Sequence, residues 1–133
     1  MEAADRRIID LLREDGRMSY TDLGKAIGLS TSAVHQRVRR LEERGAITGY
    51  AAVVDPSAVG TPLTAFVSVT PLDPREPDDI PEIDACYSVA GDANYLLRVR
   101  VGTPQDLEEL LATVRNRGGV STRTTVVLST PWE

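Results

Sequence analysis

Two residue types on which many protein sites depend are nearly missing from this sequence. Its 133 residues include a single cysteine, Cys86, and a single histidine, His35. One cysteine cannot form an internal disulfide, which fits a reducing compartment, so we expect a cytoplasmic protein. One cysteine and one histidine cannot supply the nitrogen and sulfur ligands of a zinc site, so we expect no metal centre.

Long hydrophobic runs and the common catalytic motifs are missing as well. No stretch approaches the roughly 20 consecutive apolar residues of a transmembrane helix, and the opening MEAADRR lacks the basic-then-apolar order of a secretory signal. No P-loop, nucleophile elbow or glycine-rich dinucleotide turn occurs. The sequence therefore gives no positive case for an enzyme, and we predict no catalytic residues, no cofactor and no membrane partner.

Basic side chains are scarce overall but unevenly placed. The chain has 15 Lys and Arg against 20 Asp and Glu, a net charge of −5. Residues 1–55 are neutral, with nine side chains of each sign, whereas residues 56–133 carry the whole excess of acid. Because a polyanion would be repelled by the acidic half, the asymmetry suggests two parts with different partners.

The stretch LSTSAVHQRVRRLEERG, residues 29–45, concentrates the basic side chains. If residues 31–44 form a helix, Val34, Val38 and Leu41 share one side at spacings of four and three, as a buried stripe does. Ser30 is placed to cap the start of this helix, and Gly45 to end it in a left-handed turn. The opposite side is then polar and faces outward.

Two further helices are predicted before this one. DRRIIDLLRED has Asp5 as a candidate cap and stops at Asp15-Gly16, and SYTDLGKAIG has Ser19 as a cap, with Leu23, Ala26 and Ile27 facing inward. Only GLS separates the second helix from the third, which forces a sharp turn. Three short helices with an outward-polar third helix are typical of a helix-turn-helix, although a solvated amphipathic surface helix remains an alternative.

The outward side chains of the third helix are the candidate DNA contacts. Serine, glutamine and arginine are residue types that meet base edges and phosphates in a major groove. Arg37 lies beside the apolar stripe, so its stem can pack on the core while its guanidinium either pairs within the protein or reaches a phosphate. The predicted DNA-binding residues are Ser30, Ser32, His35, Gln36, Arg37, Arg39 and Arg40.

The second half reads as alternating strands and helices. ITGYAAVVD predicts a strand that leaves the third helix, and LTAFVSVT predicts another. ACYSVAG and NYLLRVRV flank the dipeptide DA and predict a hairpin. TPQDLEELLATVRNRGG predicts a helix capped by Thr103, and VSTRTTVVLS a final strand.

These elements predict an α+β fold. A winged-type helix-turn-helix domain over residues 1–50 is followed by a linker strand and hinge over 51–62. A ferredoxin-like βαββαβ domain then occupies residues 63–133. Its first helix is degraded, because four prolines interrupt PLDPREPDDIPEID and leave at most one turn, around residues 78–80. A sheet that lacks half its helical cover exposes an apolar face, for which another subunit is the expected cover.

Several of these stretches carry a family resemblance. Residues 5–55 resemble the N-terminal domain of the Lrp/AsnC (feast/famine) transcriptional regulators, chiefly through Asp15-Gly16-Arg17, Gly28-Leu29-Ser30 and Gly49-Tyr50. In the second half, YLLRV (residues 95–99) and GVSTRTT (residues 119–125) are similar to that family's effector-binding and oligomerisation domain. The resemblance covers essentially the whole chain. It implies a homodimer or ring of dimers on palindromic promoter DNA, with a small effector, commonly an amino acid, bound between subunits.

The second half also contains polar residues that can rim a ligand cleft. The candidate effector-binding residues are Gly91, Asp92, Asn94, Tyr95, Thr122 and Thr124, which are otherwise ordinary hairpin and edge-strand groups. The family pattern has an aspartate where this chain has Asn94, and asparagine offers only neutral hydrogen bonds to an ammonium group.

Two other functions remain open. The first is a sirohaem-decarboxylase-like enzyme on the same architecture, although the second half has no histidine. The second is an effector-sensing module that does not bind DNA. Mixing with sirohaem tests the first alternative, which the lack of a spectral change and of decarboxylation would eliminate. Salt-dependent binding to a duplex would rule out the second.

Overall fold

The computed structural model describes residues 1–70, 79–93, 95–118 and 120–133. The chain divides into two compact units, Met1–Val53 and Val54–Glu133. Within the described residues, no helix is both long enough and apolar enough to cross a lipid bilayer.

The first unit is built from three helices around a small apolar core. The helices are α1 (Ala3–Glu14), α2 (Tyr20–Ile27) and α3 (Thr31–Glu43). The core side chains are Ile8 from α1, Leu23 from α2, and Val34, Val38 and Leu41 from α3, all with no exposed surface. The stripe predicted for the third helix is thus confirmed, and its burial turns the polar side of α3 outward.

Serine caps fix where α2 and α3 begin. The Ser19 hydroxyl accepts a hydrogen bond from the Asp22 amide at 3.0 Å, and the Ser30 hydroxyl accepts one from the Ala33 amide at 3.2 Å. Gly45 follows α3 with φ of 75°, a left-handed conformation in which glycine is unstrained. These three predictions are confirmed.

The predicted cap of the first helix is wrong. Helix α1 begins at Ala3, with Glu2 at the N-cap and no side-chain cap. Asp5 lies inside the first turn, where its carboxylate pairs with Arg37 at 3.1 Å. Because the helix begins two residues before Asp5, this residue cannot be its N-cap, and its carboxylate contacts an arginine 32 positions away.

The turn between α2 and α3 brings two backbones together at Gly24. A Cβ atom on Gly24 would lie 2.4 Å from the Leu29 carbonyl oxygen, so only glycine fits there. Gly24 is buried, whereas Ala26, predicted to face inward, is exposed. Ile27, by contrast, packs against the core as predicted.

The predicted strand over ITGYAAVVD is not formed. Residues 47–55 adopt no strand, and a short 3₁₀ helix follows at Pro56–Val59. Val53 is fully exposed, and Tyr50 and Val54 are about half exposed. A strand needs a hydrogen-bonded neighbouring strand, and none of the described strands pairs with this segment.

The second unit is a four-stranded antiparallel sheet with one described helix. The strands are β1 (Leu63–Thr70), β2 (Ile83–Ser88), β3 (Tyr95–Val101) and β4 (Ser121–Val126), and the helix is α4 (Pro104–Gly118). The spatial order is β2-β3-β1-β4. Strands β2 and β3 are neighbours at one side of the sheet, and β1 lies between β3 and β4. This is the ferredoxin-like arrangement, which confirms the predicted fold class.

One face of the sheet forms the core. Val67 and Val69 of β1 and Leu97 and Val99 of β3 are buried, together with Leu110 and other residues of the apolar stripe of α4. Thr103 caps α4 as predicted, because its hydroxyl accepts a hydrogen bond from the Asp106 amide at 3.1 Å. Alternate residues of the same strands point to the opposite face of the sheet.

The hairpin between β2 and β3 is confirmed, but its two-residue turn is not. Strand pairing ends at Ser88 and Tyr95, so the connection is longer than the predicted Asp92-Ala93 turn. The Thr70 hydroxyl donates to the Asp92 carbonyl oxygen at 3.5 Å, which links this loop to the end of β1. The predicted loss of the first helix falls on residues 71–78 and lies outside the described residues.

Candidate functional sites

The outward side of α3 is the first candidate site. Ser32, His35, Gln36, Arg39 and Arg40 are all exposed along this helix. The buried stripe and the serine cap hold their backbone, so these side chains project from a rigid element. A helix of 13 residues is about 20 Å long, enough to lie along a major groove.

The two outermost arginines differ in their partners. The Arg39 Nε donates to the Glu43 carboxylate at 3.1 Å across one helical turn, and both side chains are largely exposed. No carboxylate of the described chain lies within 4.0 Å of the Arg40 guanidinium. An exposed ion pair of this kind is weak, so neither arginine is fixed strongly by the protein itself.

Arg37 is held more firmly than its neighbours. Its Nη1 donates to Glu2 at 2.8 Å and to Asp5 at 3.1 Å, which ties α3 to the start of α1. The hydrogen bond that Arg37 donates to Glu2, and then the one that it donates to Asp5, raise the pKa of Arg37 above its ordinary value. The sequence predicts that Arg37 either pairs within the protein or reaches a DNA phosphate, and in the structure it pairs within the protein.

Ser30 and His35 have partners inside the first unit. The Ser30 hydroxyl is used in the cap and lies 3.3 Å from the Ser32 hydroxyl. The His35 ring stands edge-on to the Tyr20 ring, with centroids 5.4 Å apart and an angle of 79° between planes. Tyr20 opens α2, so His35 links the two helices of the turn.

A cleft of about 640 Å³ on the second unit is the second candidate site. Its lining includes Asp92 and Thr122, two of the predicted effector residues. Thr124 and Tyr95 do not line it. They lie opposite Val67 and Val69 in the sheet register, with the core-facing residues. Gly91 is exposed in the loop with φ of 132°, and Asn94 lies outside the described residues.

Sequence reasoning missed the polar residues that complete this cleft. Ser68, Thr70, Ser121 and Arg123 line it, together with the apolar Val89, Ala90, Ala93 and Leu96. Arg123 lies opposite Ser68, and Ser121 opposite Thr70, on the strand face away from α4. Strand alternation places Arg123 on that face, but only the register shows which loop it meets.

The same sheet face carries an arginine pair around one carboxylate. Arg98 and Arg100 of β3 contact the two oxygens of Asp84 at 2.7 and 3.0 Å. All three side chains are about one-third exposed, and the hydrogen bond to Asp84 is the main cause of the raised pKa of Arg98. The Asp84 carboxylate thus reduces the positive charge on the open face of the sheet, which is the face away from α4.

Comparison with known proteins identifies both units. The AsnC-type helix-turn-helix domain matches residues 1–42, and the Lrp/AsnC ligand binding domain matches residues 64–133. The chain belongs to the Lrp/AsnC family. It is therefore a transcriptional regulator with a helix-turn-helix DNA-binding domain and a ligand-binding domain, which confirms the family resemblance in the sequence.

Individual Lrp/AsnC relatives are similar over nearly their whole length. The HTH-type transcriptional regulator LrpA of Mycobacterium tuberculosis is 47% identical, over 98% of this chain and 91% of that protein. The leucine-responsive regulatory protein of Escherichia coli is 38% identical, over 96% and 85% respectively. These relatives are named as regulators, which favours this class over the decarboxylase alternative.

Solved structures show the same architecture. A feast or famine regulatory protein from M. tuberculosis, complexed with L-methionine, matches with a TM-score of 0.91 at 46% identity, over 99% of this chain and 95% of that one. An AsnC family transcriptional regulator from Agrobacterium tumefaciens matches with a TM-score of 0.92 at 27% identity, over 100% and 94%. The fold of this Lrp/AsnC protein thus recurs in chains of much lower identity.

Proposed function

We propose that this protein is a homodimeric or larger regulator that reads palindromic promoter DNA with α3 and responds to an amino acid. The observation that carries the proposal is the exposed row of Ser32, Gln36, Arg39 and Arg40 on α3. This helix has a serine cap at its start, and its opposite side is buried in the core. Such a regulator acts on DNA in the cytoplasm. No catalytic step is required of it.

Groove reading follows from the chemistry of this row. An arginine can donate two hydrogen bonds to a guanine, and a glutamine can pair with an adenine in the major groove. Each good pair of this kind discriminates against a wrong base by about 1–3 kcal/mol. One helix supplies only a few such contacts, so selectivity requires two copies of α3 on two half-sites.

The open face of the sheet supports the pairing of two subunits. Phe66, Leu96 and Tyr87 lie on the face away from α4, beside the Asp84–Arg98–Arg100 cluster. Helix α4 packs against the opposite face of the sheet. A second copy related by twofold symmetry would place the same apolar and paired polar groups opposite each other.

The cleft beside Asp92 fits the chemistry of a free amino acid. Such a ligand carries an ammonium and a carboxylate, and Asp92 and Arg123 offer one charge of each sign in the same lining. Val89 and Leu96 add apolar surface for a side chain. The methionine bound by the M. tuberculosis relative supports an apolar amino acid as the class of effector.

Calorimetric titration with a panel of amino acids tests the effector. We expect apolar amino acids to bind and Asp92→Asn or Arg123→Gln to weaken binding by tenfold or more, since each removes a charge-assisted hydrogen bond. Arg115→Gln, which removes the charge of an exposed arginine on α4 outside the cleft lining, is the control. Binding that both cleft variants leave intact would contradict this assignment.

A gel-shift experiment tests the DNA contacts. Arg39→Ala combined with Arg40→Ala should reduce operator affinity by at least tenfold, through lost base or phosphate contacts. The control is Arg7→Ala combined with Arg13→Ala, which removes the same charge from exposed positions on α1. Equal affinity of both double variants would refute the assignment of α3.

A further inference from the structure

Arg37 is shared between two carboxylates that differ in their surroundings. The Asp5 side chain is only 14% exposed, whereas the Glu2 side chain is 73% exposed, and both contact the same guanidinium nitrogen. Releasing Asp5 would leave a poorly solvated charge without its partner, which is costly. Releasing Glu2 returns a well-solvated carboxylate to water, which costs little. Glu2 is therefore the partner that can be exchanged.

The surroundings of this pair suit an incoming phosphate. Arg37, Arg40 and Arg44 follow one another along one flank of α3 and line a single recess of about 480 Å³. In the described chain, no carboxylate lies within 4.0 Å of the Arg40 or Arg44 guanidinium groups. Acidic groups at this recess, Glu2 among them, offset the positive charge. An anion that enters this recess meets the three arginines and competes with the carboxylates that line it.

We propose that Glu2 is an intramolecular competitor for a DNA phosphate at Arg37. When a duplex binds, a backbone phosphodiester takes the place of the Glu2 carboxylate on the guanidinium, while Asp5 keeps Arg37 in position. This inference rests on the proposed function, because it requires that α3 lies against DNA. It makes Glu2 a determinant of affinity although it contacts no base.

The competition has a distinctive signature. A phosphate contact carries no sequence information, so Glu2 lowers the affinity for operator and for unrelated duplex by the same factor. Salt screens the exposed Glu2–Arg37 pair, so the competition is strongest at low salt. Glu2 therefore makes the slope of binding against salt shallower. A base contact would instead change the ratio between the two affinities.

Fluorescence anisotropy with the full chain tests the proposal on an operator duplex and a scrambled duplex, from about 50 to 200 mM salt. Glu2→Gln should raise affinity about two- to fivefold on both duplexes, the range set by a weak exposed ion pair. It should also steepen the salt slope, by less than the roughly 0.9 that one whole phosphate contact contributes. Glu2→Ala should gain as much, because the lost carboxylate is the cause.

Glu14→Gln is the matched control, since Glu14 is an exposed residue at the other end of α1 and no arginine of the described chain pairs with it. Thermal melting checks that the variants fold equally well. Glu2 and Glu14 variants with indistinguishable affinities and slopes would overturn the proposal while leaving the regulator assignment intact. A wild-type chain that binds neither duplex would instead overturn the proposed function itself.

Discussion

At the scale of single residues, partners distant in sequence decide several roles. Asp5 has the spacing of a cap, yet it pairs with Arg37. No sequence motif indicates that Gly24 must be glycine, yet a Cβ atom at this position would overlap the Leu29 carbonyl oxygen. Local patterns do not encode such contacts, because they depend on how two helices meet. The outward position of Arg39 and Gln36 follows from helical periodicity alone and could be predicted.

Gly24 provides the sharpest residue-scale prediction. Gly24→Ala should lower the free energy of unfolding by about 1–3 kcal/mol, because its Cβ would overlap a backbone oxygen that cannot move freely. Gly16→Ala is the control, since its Cβ would lie 3.8 Å from the Leu12 carbonyl oxygen, an ordinary contact. Urea unfolding followed by circular dichroism measures both. Equal stabilities would contradict the close approach.

At the scale of elements, the helices and most strands could be predicted from periodicity and capping. Strand β1 has the predicted bounds, and the serine caps place α2 and α3. The segment over residues 47–55 could not be predicted in this way. Its alternating apolar residues fit a strand, but alternation does not supply the neighbouring strand that the hydrogen bonds need. The cleft residue Arg123 likewise depends on a register that the sequence does not state.

The Ser30 cap gives the element-scale prediction. Ser30→Ala should destabilise the first unit by about 1 kcal/mol, because the Ala33 amide loses its side-chain acceptor. Ser32→Ala, at the exposed second residue of α3, should leave stability nearly unchanged. Chemical denaturation distinguishes the two. A Ser30→Ala protein as stable as the wild type would contradict a stabilising role for this cap.

At the scale of the whole molecule, charge and assembly belong together. A chain of net charge −5 gains little from non-specific attraction to DNA, so in the proposed regulator the two half-sites together would supply the selectivity. The sequence predicts the two-domain organisation and the need for cover on the sheet. It does not predict which side chains share the face of the sheet away from α4, because these depend on strand register.

Phe66 tests the link between assembly and DNA binding. Phe66→Asp should dissociate the dimer, because it places a carboxylate on the open apolar face away from α4. Light scattering after size-exclusion chromatography measures the mass, and operator affinity should fall with it. Phe66→Leu, which keeps the face apolar, should stay dimeric. A fully assembled Phe66→Asp protein would place the interface elsewhere.

Hydroxyl-radical footprinting of the wild-type protein on a selected operator tests the central claim most directly. The account predicts two protected half-sites on one face of the duplex, about 10 base pairs or a multiple apart, both lost in the Arg39→Ala and Arg40→Ala double variant. A single protected site, or protection that survives in the double variant, would contradict it.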